Sequence, residues 1–177
     1  MKRWVMALAL LMTGSLAGAQ ETIQWMDFED AVAACEKNPK KIFIDVYTDW
    51  CGWCKKMDKT TFADSTVVSY MNETYYAVKF NAERNDTVRF MGVDFVSVKQ
   101  PGSSKSVHQL AAALLQGKMS YPSCVILNED RRLLQVIPGF QETKTFLPIL
   151  HFFGDEAYKT TPWQDYFESF PGNDTKE

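Results

Sequence analysis

The run Lys41–Tyr47, KIFIDVY, constrains this chain more than any other feature. It is short, apolar and β-branched, and a cysteine pair follows it almost at once in YTDWCGWCKK. Continuous apolarity over strand length suits a strand covered on both faces, as in a parallel or mixed sheet between helices. The segment CGWCKKMDKTTF then reads as a helix starting near Cys51. A strand feeding straight into a helix through Cys-x-x-Cys leaves three readings for the pair: a redox dithiol, a structural disulfide, or half of a metal site.

The physical chemistry favours the first. Cysteines three apart on a first helical turn can close a disulfide without distorting the backbone. The unpaired N–H groups and macrodipole of a helix N-terminus favour a thiolate at its first residue. Cys51 is thereby the expected nucleophile, and Cys54, one turn deeper and more shielded, the resolving thiol. A structural bridge this short would remove little unfolded-chain entropy. Zinc needs four ligands or an open catalytic position, and the sequence offers no second such pair and only His108 and His151. No metal or cofactor is expected.

The flanking pattern repeats helix and strand. Over residues 25–37, Phe28, Ala31, Val32 and Cys35 fall on one helical face, and Asn38-Pro39 ends it. Asp64 or Ser65 caps TVVSYMNE, and YYAVKFNA is a second strand. VRFMGVDFVSV reads as a hairpin turning at Gly92, and KQPGSSKS as a loop. Ser106 with Gln109 fits a capping box for VHQLAAALLQ, which Gly117 stops. YPSCVILNEDRRLLQVIPGF gives two strands joined at Asn128–Asp130. A last helix covers roughly Thr143 to Phe153, and Trp163, Tyr166, Phe167 and Phe170 have the spacing of a helix docked on the core.

Residues 1–19 carry Lys2 and Arg3, an apolar run from Trp4 to Met12, and Ala17-Gly18-Ala19. That is the pattern of a cleaved export signal. The apolar run is shorter than the roughly 20 residues a membrane span needs. Export implies a disulfide-permissive compartment. Losing Lys2 and Arg3 takes the net charge from −3 to −5. No basic run points to nucleic acid. One domain, residues 20–177, is expected, acting as a monomer.

WCGWCK after IFIDVYTD resembles the active-site region of the thioredoxin superfamily, and most of residues 25–153 share in the likeness. FIDVYTDWCGWCKKMDKTTF is similar to exported bacterial members, including the C-terminal domain of the periplasmic disulfide interchange reductase. The segment GKMSYPSCVILNED extends the match. The resemblance implies an α/β thioredoxin-like fold with a central mixed β-sheet flanked by helices. It also implies a cis-proline at Pro122 facing the cysteine pair. Residues 83–106 then become an insertion of roughly 24 residues before the cis-Pro strand, and 154–177 a C-terminal helical extension. Asp45, six residues before Cys51 and out of place in an apolar run, takes the role of proton acceptor for Cys54. Lys79 on the neighbouring strand would tune it. A surface of Trp50, Gly52, Trp53, Tyr121 and Pro122 would contact substrate, although Trp53 stands where the family usually has proline. The implied activity is that of an exported, periplasmic thiol–disulfide oxidoreductase reducing cysteine-bearing client proteins and recharged by a membrane electron donor. A peptide-binding module without turnover and a metal chaperone are the alternatives. Cys35 and Cys124, on a helix face and a core strand, are expected as buried free thiols.

Overall fold

The computed structural model describes residues 21–99, 102 and 105–172. The export signal expected over residues 1–19 lies outside them.

The central sheet has five strands in the order β1-β3-β2-β8-β9. Its parallel half is β1 (Trp25–Met26), β3 (Tyr75–Asn81) and β2 (Lys41–Tyr47). Antiparallel β8 (Ser123–Leu127) and β9 (Leu133–Pro138) complete it. This is the mixed sheet expected of the thioredoxin-like fold. β2 lies in the middle, and six of its seven residues are buried, which is why its sequence is nearly all apolar.

Helices cover both faces. Ile42, Ile44 and Val46 of β2 pack with Phe28, Ala31 and Cys35 of α1 (Phe28–Lys37) and Leu110, Ala111 and Leu114 of α4 (Gln109–Leu114). Phe43 faces the other way, toward Met57 of α2 (Gly52–Lys59), Val67, Val68 and Met71 of α3 (Ser65–Thr74), and Phe146 and Leu150 of α5 (Thr143–Gly154). Three rings meet Phe43 nearly edge-on, those of Phe62, Tyr75 and Phe146, at 5.7–6.2 Å between centroids. That geometry adds to the roughly 1.5–3 kcal/mol that burying one such side chain contributes. α3 begins as the sequence indicates, with Asp64 accepting from the Thr66 and Val67 amides. α6 (Trp163–Ser169) docks on α5, with Trp163 and Tyr166 against Phe152 at 5.2 and 5.1 Å.

Two expectations are corrected. The helix read over residues 25–37 begins only at Phe28. Trp25–Met26 instead pair with Ala77 and Val78 as an edge strand, because two residues are too few to show alternation. Ser106 is not a helix cap. It opens β7 (Ser106–His108), which pairs with β6 (Ser97–Lys99). The true cap is His108, whose Nδ1 accepts from the Leu110 amide at 3.2 Å. The local capping signal loses to strand pairing made across a loop. That loop was read over 99–106; Lys99 and Ser106 are strand, Gly102 adopts φ 75°, and 100, 101, 103 and 104 lie outside the described residues. The hairpin at Gly92 forms as β4 (Val88–Phe90) and β5 (Val93–Phe95), with positive φ at Met91 and Gly92 as a tight hairpin turn requires.

Candidate active site

β2 ends at Tyr47, and the chain turns at once, the Cys51 amide donating to the Thr48 carbonyl at 3.1 Å. Cys51 is the N-cap of α2, and its Sγ accepts from the Cys54 amide at 3.1 Å. Cys51 and Cys54 form a disulfide with Cα atoms 5.3 Å apart. The two are shielded almost equally, at 5% and 3% exposure. What distinguishes them is position: one sulfur caps the helix, and the other lies inside its first turn.

Asp45 is 1% exposed and pairs across the sheet with Lys79 on β3 and Cys124 on β8. It points to the same side of β2 as Phe43, beneath α2. Lys79 Nζ lies 2.9 Å from Asp45 Oδ2 and also contacts Asp58 of α2. Asp58 is one turn after Cys54, so the lysine ties the strand acid to the helix that carries the pair. Asp45 Oδ1 is buried with no hydrogen-bond partner among the described residues. Burial raises the Asp45 carboxyl, Lys79 offsets part of the rise, and the net result is a pKa of about 6. For Lys79, burial lowers the pKa, but Asp45 and Asp58 outweigh it and hold the ammonium above its ordinary value. A carboxyl titrating near neutrality beneath a dithiol can exchange a proton with it.

The Tyr121–Pro122 peptide is cis. Pro122 immediately precedes Ser123, the partner of Val46, so it sits at the end of the sheet from which Cys51 departs. Its carbonyl accepts from the Gly139 amide at 2.8 Å. Tyr121 meets the Trp50 ring edge-on at 6.0 Å. Burial, with Glu83 nearby, pushes its phenol up to about 12. Gly52 is exposed on α2, with open space where a Cβ would stand. Trp50 and Trp53 are both exposed. The fold thus gathers the expected catalytic and substrate-contact residues at one end of the sheet or directly beneath it.

Sequence reasoning missed Asp58, Glu83, Lys105, Lys56 and Phe140. Glu83 accepts from Trp50 Nε1 at 2.9 Å, and Lys105 lies over the Trp50 ring. Phe140 packs on Trp53 at 5.3 Å, with Lys56 over both rings. Asp58 alone was readable, since it falls four residues after Cys54 on one helical face. Cys35 and Cys124 are free and buried. Cys35 Sγ donates to the Lys40 and Glu129 carbonyls, and burial raises the Cys124 thiol well above its ordinary pKa.

With this geometry in place, comparison with known proteins decides the family. A family model named Thioredox_DsbH, described as "Protein of unknown function, DUF255", matches residues 15–144. The chain belongs to this family. Among solved structures, a thioredoxin-fold protein from Helicobacter pylori superposes with a TM-score of 0.55 at 18% identity, over 74% of this chain and 84% of that one. A "DsbH Oxidoreductase" superposes at 0.54 with 16% identity, over 88% and 96%. These likenesses show the fold. A thiol:disulfide interchange protein DsbD from Pseudoalteromonas atlantica is 40% identical over 50 residues, 28% of this chain. The chain spans 8% of that relative's length. The protein is a thioredoxin-fold member of this family, with Cys51–Cys54 as its CxxC pair.

Proposed function

We propose that this protein is an exported thiol–disulfide oxidoreductase that reduces disulfides in client proteins and is recharged by a membrane electron donor. One observation carries the reading: the sulfur of Cys51 caps a helix whose first turn holds Cys54, above a buried carboxyl coupled to Lys79. The N-terminal pattern of residues 1–19 supports export to the periplasm. Among the described residues no helix is long and apolar enough to cross a membrane.

The cycle starts from the dithiol. The Cys51 thiolate attacks one sulfur of a client disulfide held beside Pro122. A mixed disulfide forms, and the client's other sulfur leaves as a thiolate. Cys54 then gives its proton to Asp45 and attacks Cys51 Sγ. The Cys51–Cys54 bond forms as the bond between Cys51 and the client breaks, the client's second sulfur also leaves as a thiolate, both client thiolates take protons from solvent, and two electrons have passed to the client. Trp50, Gly52, Trp53 and Tyr121 form the surface that the client meets.

The reduction potential of Cys51–Cys54, measured against glutathione or dithiothreitol, tests the direction. A value near about −270 mV is expected of a reductase, and one near about −120 mV would make the protein an oxidant and overturn this assignment.

A further inference from the structure

Trp50 and Trp53 stand 56% and 57% exposed on either side of Cys51. Each carries a lysine on its face. Lys105 Nζ is 3.9 Å from the Trp50 ring centroid, and Lys56 Nζ is 4.8 Å from that of Trp53. Each ring is braced by a second aromatic, Tyr121 in one case and Phe140 in the other. Glu83 lies just before the β4–β5 hairpin, and Lys105 lies in the turn of the β6–β7 hairpin, next to β7. The segment therefore touches Trp50 at its start and again at the turn of its second hairpin. Exposed tryptophans held in fixed geometry are the usual anchors of an interface.

The charge at this rim is one-sided. α2 exposes Lys55, Lys56 and Lys59, none with a carboxylate at ion-pair distance among the described residues. Nearby acids are mostly engaged, Asp58 with Lys79, and Glu83 with Trp50 and Lys105. Asp49, in the turn before Cys51, stays exposed. The whole chain carries −3, so the lysine excess is local. The N-terminal end of α2 adds its own positive field.

We propose that the two lysine-backed tryptophans receive an extended client segment whose reactive half-cystine is flanked by acidic residues. This deepens the oxidoreductase reading and rests on it. Lys56 over the Trp53 ring, with Lys55 and Lys59 on the same helix, supplies the charge that steers an acidic segment in and holds it across the disulfide, while Lys105 fixes Trp50 together with Glu83. A basic segment would meet the same lysines as repulsion.

The test uses three disulfide-linked peptides alike except for Asp, Asn or Lys on both sides of the cysteine. Reaction with the reduced protein is followed by stopped flow at low and high salt. Each rate is divided by that of dithiothreitol with the same peptide, which removes the peptide's own reactivity. The Asp peptide should react about tenfold or more faster than the Lys peptide at low salt. The ratio should fall toward one near 1 M salt, where the screening length is about 3 Å. Lys56→Gln combined with Lys105→Gln should shrink it at low salt as well. Should that double variant fold poorly, the wild-type series decides alone. Equal corrected rates, or a preference for the Lys peptide, would overturn the proposal and leave the oxidoreductase reading standing. No reaction with any peptide would overturn both.

Discussion

Replacing Asp45 by asparagine separates the acid's cost from its use. Folded, the carboxyl titrates near about 6, against an ordinary 3.8, because burial disfavours its charge more than Lys79 favours it. The folded state therefore holds the proton more tightly. The stability this provides is complete below pH 3.8 and is lost as pH rises through about 6. A gap of about two pH units, at 1.36 kcal/mol each, makes the full loss about 3 kcal/mol, of which about 2 appears between pH 4.5 and pH 8. Asparagine cannot ionise, and Lys79 keeps Asp58 as a partner. Urea titrations of both oxidised proteins should show the advantage of Asp45→Asn growing by about 2 kcal/mol from pH 4.5 to pH 8. Curves that stay parallel would refute the reasoning, since the acid would then have an ordinary pKa in the fold. In rapid-mixing kinetics the same variant should form mixed disulfides at nearly the wild-type rate. It should resolve them more slowly by on the order of 10²-fold.

Three more outcomes follow from the geometry. Cys54→Ser should accumulate mixed disulfides with client proteins on non-reducing gels, whereas Cys51→Ser should not; equal trapping by both would sink the assignment of nucleophile and resolving thiol. Lys79→Met removes the charge that pulls the Asp45 pKa down, so the pH midpoint of mixed-disulfide resolution should move above about 6, and an unmoved midpoint would uncouple the lysine from the acid. Gly154→Ala drives a methyl into the Tyr70 hydroxyl and to 2.9 Å from Thr74 Cγ2. Tyr70 is held by a 2.6 Å bond to Asp155 and stacking on His151, so a loss of about 1–3 kcal/mol is expected in urea unfolding; an unchanged midpoint would show that the ring gives way.

The parts legible in the sequence were those written locally or in fixed spacings. KIFIDVY announced a central strand because its burial on both faces requires an unbroken apolar run. Asp45 announced itself as the one acid inside that run. Cys51 could be placed at a helix N-terminus from the strand and helix patterns on either side. Trp25–Met26 could not be seen as strand, since its identity comes from Ala77 and Val78, some fifty residues away. Ser106 misled because a capping motif and a strand residue look alike until β6 is brought alongside. Glu83 and Lys105 gave no signal at all, and Phe140, visible only as the Gly-Phe end of the last strand, gave none of its contact with Trp53. Their place at the tryptophans is set by how the hairpin segment and the end of β9 return to the sheet, which residue spacing does not encode.

The sulfur that caps α2 is also the one that changes charge. As half of a disulfide, Cys51 Sγ is a weak neutral acceptor for the Cys54 amide. As a thiolate it becomes an anion at the positive end of the helix, and the same bond turns charge-assisted. Gaining electrons therefore tightens the first turn rather than loosening it. The Cys54 amide hydrogen should then trade with deuterium more slowly in the dithiol than in the disulfide. A single backbone nitrogen, in the shortest ring the redox pair closes, would record how full of electrons the molecule is.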